Sequence, residues 1–157
     1  MSPTLQSNAR RLVQLAEGFS SKPYICPAGY LTIGYGHNLD AAPLTITLDK
    51  PLADGITKTQ ADEQLTHDMN VAWVELVKHL PWITQLDDVR QFVLWDMNFN
   101  MGWTTFKQFK ATLRFAKAKD FTHCAEQMKR SKWYRQTGNR ARRNVRMMLT
   151  GEWPTLA

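Results

Sequence analysis

Apolar residues recur along this chain in two rhythms. Leu5, Ala9, Leu12, Val13 and Ala16 fall at three- and four-residue steps. That spacing predicts an amphipathic helix over residues 4–16, with Thr4 as its N-cap and Gly18 as its C-cap. From Tyr24 to Leu39 the rhythm changes. Tyr24-Ile25-Cys26 and Tyr30-Leu31-Thr32-Ile33-Gly34-Tyr35 are rich in β-branched and aromatic residues and flank Pro27-Ala28-Gly29, the pattern of a hairpin. Residues 40–56 contain Pro43, Pro51 and Gly55 and read as a loop carrying a short strand at Leu44–Leu48. Thr57-Lys58-Thr59-Gln60 has the form of a capping box. It opens a helix to about Leu80, with Leu65, Met69, Ala72, Trp73, Leu76 and Leu80 as its stripe, and Pro81 stops it. Asp88 to Met101 is apolar nearly all round, which predicts a central buried helix. Shorter helical patterns follow near 107–118, 120–130 and 139–150. Asn139 is read as the cap of the last, and Gly151 as its end.

Composition adds bounds. The chain has 157 residues, 43% hydrophobic and 22% charged, which is one domain's worth of ordinary globular sequence. It shows no internal repeat and no Gly/Ser linker. Its 2 cysteines cannot build a disulfide framework. No stretch approaches the roughly 18 apolar residues of a membrane span. The first residues lack the basic and apolar regions of a signal peptide, so the product is expected to stay soluble where it is made. The predicted class is α+β, mostly helical: a helix and small sheet, one long helix, then a helical body, arranged as two lobes with a cleft.

The net charge of +6 is unevenly placed. Residues 1–106 carry 7 basic and 11 acidic side chains, whereas residues 107–157 carry 13 basic and 3 acidic. Eight of the cations lie between Lys129 and Arg146, with no acid among them. Such a segment suggests a polyanionic partner. No nucleic-acid motif or basic–aromatic stacking platform accompanies it, so an anionic wall or outer-membrane surface is expected instead of nucleic acid.

Three residues carry candidate chemistry. Glu17 ends the first predicted helix, where the negative end of the helix dipole opposes ionisation of a carboxylate, the direction a general acid needs. Cys26 precedes the hairpin turn and Thr32 lies on its second strand. Singly, each has an ordinary reading as a surface acid, a small buried hydrophobe or a strand residue. Together they are more specific. Glu17, eight intervening residues, Cys26, five intervening residues and Thr32, followed by Ile33-Gly34-Tyr35-Gly36-His37, resemble the active-site signature of the phage-type lysozymes, the endolysins of glycoside hydrolase family 24. Most members have Asp at the middle position; a subset has Cys. The resemblance continues through Gly55-Ile56-Thr57-Lys58, Ala61-Asp62, Phe99-Asn100-Met101-Gly102, Ser131-Lys132-Trp133-Tyr134, Asn139-Arg140-Ala141-Arg142-Arg143 and Thr150-Gly151-Glu152-Trp153, from about Leu12 to Trp153.

That resemblance implies a lysozyme-like two-lobe fold in a single catalytic domain: an N-lobe over about 12–60, an interlobe helix over about 57–80, and a helical C-lobe over about 81–157 joined by the N-terminal helix. It implies hydrolysis of the β-1,4 bond between N-acetylmuramic acid and N-acetylglucosamine, with peptidoglycan glycan strands as partner and the cleft as binding site. Glu17 would protonate the leaving oxygen, and Thr32 would orient the attacking water. Cys26 would replace the second carboxylate, and the guanidinium of Arg140 would approach Glu17. Asn38, Leu39, Phe99, Asn100, Thr112 and Gln127 would line the sugar cleft. His37 would be structural, bonded to an acid in the long helix near Asp68. No cofactor or metal is implied. The chain would act as a monomer that accumulates in the host cytoplasm and reaches the wall after a separate, holin-type protein permeabilises the membrane.

The thiol leaves the mechanism open. A free thiol is only a few per cent ionised at pH 7, so neutral Cys26 is a poor base; as thiolate it is a good nucleophile and favours a retaining course. Two other readings compete: a peptidoglycan peptidase or amidase using a Cys26–His37 pair, and a wall-binding module without catalysis.

Overall fold

The structure is a computed structural model that describes residues 1–155. In chain order it contains α1 (Pro3–Glu17), β1 (Ser20–Ile25), β2 (Leu31–Gly34), β3 (His37–Asn38), α2 (Lys58–His79), α3 (Asp88–Met101), α4 (Trp103–Phe106), α5 (Lys110–Lys117), α6 (Phe121–Lys129), α7 (Lys132–Thr137) and α8 (Asn139–Thr150). Short 3-10 turns sit at Leu52–Asp54 and Pro81–Gln85. The class is the mostly helical α+β one that the hydrophobic pattern predicts. No helix among the described residues is long and apolar enough to cross a membrane.

The chain divides into two compact units, Ser7–Val71 and the N-terminal hexapeptide with everything from Ala72 onward. Both boundaries fall inside helices, so α1 and α2 each contribute to both units.

In the Ser7–Val71 unit, the sheet is antiparallel with order β1-β2-β3. β2 is central and turns Ile33 into a small core with Ile56 and Ala61, against which Phe19, Leu39, Leu44, Leu48 and Leu52 pack. The strand expected at Leu44–Leu48 is absent. Its leucines are recruited to that core, and the Thr45 N–H donates to the Gln64 side-chain carbonyl at 2.8 Å, so no neighbouring strand is needed to satisfy it. The capping box forms: the Gln60 N–H donates to Thr57 Oγ1 at 3.0 Å, and the Thr57 N–H donates to Gln60 Oε1 at 2.9 Å. α2 then buries Ala61, Leu65 and Met69 within this unit and Leu76 beyond it.

The other unit is built around α3, where Val89, Phe92, Val93, Leu94, Trp95 and Met97 are all buried. Ser2, not Thr4, caps α1, because its hydroxyl accepts the Leu5 N–H at 3.0 Å and Pro3 takes the first helical position. α7 is a short helix that periodicity missed. It has one buried residue, Trp133, and is set by its Ser131 cap, whose hydroxyl accepts the Tyr134 N–H at 3.1 Å. Asn139 is the first residue of α8 and does not cap it; Gly138 occupies that place with φ 70° and ψ −126°, a conformation open to glycine and strained for other residues.

One acid interrupts the apolar surface of α3. Asp96 is 1% exposed and faces α8. Its carboxylate accepts from Arg140 Nη2 at 2.7 Å and Arg140 Nε at 3.1 Å, from Arg143 Nη2 at 2.9 Å and from Asn144 Nδ2 at 2.7 Å. Burial alone would push this carboxyl's pKa up; the charge of Arg140 and the bonds from Arg140, Arg143 and Asn144 outweigh it and hold the value below 3.8. A depressed folded value stabilises the fold at neutral pH, and that contribution is lost as pH falls below about 3.8 through the folded value. Asp96→Asn keeps the shape but leaves two guanidinium groups without their anion. It is expected to lower the free energy of unfolding in urea at pH 7 by about 3–5 kcal/mol; a loss under about 1 kcal/mol would contradict this role for the network.

Candidate active site

Strand register decides what the hairpin presents. Tyr24 lies opposite Thr32 and Ile25 opposite Leu31, and the Cys26 N–H extends the pairing by donating to the Tyr30 carbonyl at 2.9 Å. Side chains alternate between faces with period two. Tyr24 and Thr32 therefore share a face with Asn38, the β3 partner of Thr32, and with Tyr30, two residues before Thr32. Ile33 and His37 pair on the opposite face, where Ile33 enters the core. The five residues between Cys26 and Thr32 suit a hairpin whose tight turn, closed by the Gly29 N–H on the Cys26 carbonyl at 2.8 Å, brings both to one place.

The Cys26 sulfur is held at the mouth of that turn. Its pKa is drawn below the usual thiol value by the Tyr30 N–H, then by the Thr32 hydroxyl, with smaller help from the N–H groups of Ala28 and Gly29 against a weak opposing effect of desolvation. The Thr32 hydroxyl is buried and has one proton for two acceptors, the Tyr30 carbonyl at 2.9 Å and the sulfur.

The Glu17 carboxyl, at the end of α1, packs against the turn between β2 and β3. A Cβ on Gly36, in the turn between β2 and β3, would collide with Glu17 Oε2 and lie 2.9 Å from Glu17 Cδ, and Gly36 has φ +77°. Only glycine lets the main chain pass so close to the carboxyl group. Tyr24 feels the charge of both Glu17 and Cys26. Its phenol pKa is raised by burial first, then by the charges of Glu17 and Cys26.

His37 is 8% exposed and committed elsewhere. Its Nδ1 lies 2.7 Å from Asp68 Oδ2 and its Nε2 2.9 Å from the Ala42 carbonyl. Burial lowers the imidazole pKa, but the bond and charge of Asp68, with the carbonyls of Ala42 and Pro43, outweigh it and raise the net value. Both ring nitrogens thus face acceptors, on the sheet face away from Thr32. Nothing in this arrangement pairs His37 with Cys26. Asn38 Oδ1 accepts the N–H groups of Asp40 and Ala41 at 2.9 and 3.1 Å, and Leu39 packs on the core of Ile33, Ile56 and Ala61.

The remaining predicted residues lie in the helical unit. Arg140 is the bidentate partner of Asp96. Phe99 is half-buried near the end of α3, and the side-chain oxygen of the exposed Asn100 accepts from Trp133 Nε1 at 2.9 Å. Thr112 and Gln127 line a pocket of about 630 Å³ together with Phe109, Arg130, Lys132 and Trp133. The pocket is lined by α3 to α7 and their connections, and Phe99 and Asn100 are not in its wall. The pattern reading missed Tyr24, Tyr30, Asp96 and the role of Gly36. Asp96 had a signal, being the one acid between Val89 and Met101.

The two thiols should differ sharply in reactivity. Cys26 is partly exposed with a lowered pKa, whereas Cys124 is buried and pushed up to about 12 by desolvation, then by the charge of Asp120. Iodoacetamide at pH 7 is expected to alkylate Cys26 alone, more slowly in Thr32→Val, as read by peptide mass spectrometry. Equal labelling of both cysteines, or no effect of Thr32→Val, would refute the picture of a hydroxyl-assisted thiolate.

Comparison with known sequences bears on the whole chain. The pattern of the phage lysozyme family matches residues 14–146, a span that contains every site residue named above. Probable T4-type lysozyme 1 of Dictyostelium discoideum is 27% identical, over 92% of this chain and 95% of its own length. Probable T4-type lysozyme 2 of the same organism is 26% identical with the same coverage. The pre-baseplate central spike protein Gp5 of Enterobacteria phage T4 is 28% identical over 86% of this chain but only 26% of its own length, so the likeness is confined to part of that larger protein. The chain belongs to the phage lysozyme family, a family of lysozyme-type hydrolases.

Proposed function

We propose that this protein is a muramidase that cleaves the β-1,4 bond between N-acetylmuramic acid and N-acetylglucosamine in peptidoglycan, and that it serves as an endolysin at the end of a phage cycle. The observation that supports this reading is three groups carried by one small unit: the Glu17 carboxyl against Gly36, the Cys26 sulfur in its turn, and the Thr32 hydroxyl beside that sulfur. An acid, an ionisable nucleophile or base and an orienting hydroxyl are what acid-assisted glycoside cleavage needs. Glu17 donates its proton to the departing sugar oxygen as the bond to C1 breaks. The new C1 bond forms to the Cys26 sulfur, which water then displaces while Glu17 takes the water's proton, or forms directly to a water oriented by Thr32 that gives its proton to the Cys26 thiolate. On this reading the cysteine takes the place of the second carboxylate, and the loop N–H groups and the Thr32 hydroxyl favour its ionised form.

The engagement of both His37 nitrogens weighs against a Cys–His peptidase. Access to the wall is assigned to a separate permeabilising protein, and the exposed cations of α7 and α8 to contact with anionic wall or membrane surfaces.

Native protein is expected to release reducing sugars, and no new free amines, from purified sacculi. Glu17→Gln should cut that release by about a hundredfold or more while wall binding is kept. Amine release would make the protein a peptidase or amidase, and unchanged lysis by Glu17→Gln would remove Glu17 as the acid. The anomer of the first product, read by NMR, gives the course: β for attack by sulfur, α for direct attack by water.

A further inference from the structure

Two rings on the site's face have no part in the chemistry just described. Tyr24 is 39% exposed and Tyr30 50% exposed, and they flank Cys26 along the hairpin. Tyr24 stands directly opposite Thr32 in the ladder. The main chain of Tyr30 is pinned, because its carbonyl accepts both the Cys26 N–H and the Thr32 hydroxyl at 2.9 Å. Both rings are therefore carried on backbone that is ordered before any ligand arrives. A tyrosine has only two rotatable side-chain bonds and a broad apolar face, so it gives contact area at small entropic cost. The negative face of its ring attracts the weakly positive C–H groups on one side of a pyranose.

A glycan strand is a polymer, so the sugars next to the cleaved linkage must lie over whatever flanks Glu17, Cys26 and Thr32. On this sheet face that means Tyr24 and Tyr30. We propose that Tyr24 and Tyr30 form an aromatic platform that stacks on the pyranose rings of the glycan strand beside the scissile bond. The proposal rests on the muramidase reading for the identity of its ligand. Its recognition element is the ring face and not the phenol oxygen, so phenylalanine should replace either tyrosine with little loss, whereas a residue of similar bulk without a ring should not.

The test uses full-length protein carrying Glu17→Gln to stop turnover, titrated with a peptide-free tetrasaccharide of alternating N-acetylglucosamine and N-acetylmuramic acid. Tyrosine ring signals are followed by NMR. The tetrasaccharide is expected to shift the Tyr24 and Tyr30 resonances. Tyr30→Ala and Tyr30→Leu should weaken binding by about tenfold, whereas Tyr30→Phe and Tyr24→Phe should stay within about twofold of the parent. Parent-like binding by Tyr30→Ala overturns the platform and leaves the muramidase reading standing. Binding that shifts neither ring also overturns it, as does failure of the parent to bind at all. Absence of reducing-sugar release from sacculi by native protein overturns the muramidase reading alone, since ring shifts on tetrasaccharide binding still uphold the platform.

Discussion

The register of β1 against β2 is the constraint on which the site depends. With Tyr24 opposite Thr32, the Thr32 hydroxyl meets the Cys26 sulfur and Ile33 enters the core. A slip of one residue would exchange the faces, taking Ile33 out of its core and placing the polar Thr32 among Ile56 and Ala61. Two further bonds fasten the other edge of β2. The Leu31 N–H donates to Asp40 Oδ2 at 2.8 Å, and the Leu39 N–H donates to the Leu31 carbonyl at 2.8 Å. The apolar requirement of a three-residue core thus sets the position of the hydroxyl and the thiol to which the proposed chemistry is assigned.

Two acidic groups in the molecule have their pKa values lowered by different means. Asp96 is buried, and neighbouring guanidinium groups offset the desolvation that would otherwise neutralise it. Cys26 is partly exposed, and uncharged N–H and hydroxyl dipoles favour its ionised form. The first is an ion network whose charges are locked into the packing of α3 on α8. The second leaves the sulfur reachable. The same division sorts the basic segment from Lys129 to Arg146: Arg140 and Arg143 bind Asp96, while Lys129, Arg130, Lys132, Arg135, Arg142 and Arg146 remain exposed. A net charge read from composition counts all eight alike.

Local patterns made much of this legible. The capping box at Thr57, the stripe of α2, the apolar run of α3 and the hairpin around Pro27-Ala28-Gly29 all depend on residues close in sequence, and all formed. The failures were non-local. Leu44–Leu48 alternates like a strand, but its leucines serve a core assembled from β2 and α2, and its amide bonds to Gln64, which lies 19 residues away. α7 is too short to show a period and depends on its cap and on Trp133. Glu17, Cys26 and Thr32 were singled out by spacing, yet the largest cause of the lowered thiol pKa, the Tyr30 main-chain N–H, leaves no residue-type signature. Gly36 belongs to the signature, yet the reason a glycine is needed there, the carboxyl of Glu17 packed against it, shows only in the fold.

If position 26 works as an anion beside Glu17, its ionisation should set the acidic limb of the reaction. The most direct measurement is the pH dependence of kcat/KM on purified sacculi for the native protein and for Cys26→Asp. Replacing the thiol by a carboxylate should preserve activity and move the acidic limb to lower pH, toward the carboxylate range. A limb that stays where it was, or full activity in Cys26→Ala at every pH, would show that the ionisation of this residue takes no part in catalysis.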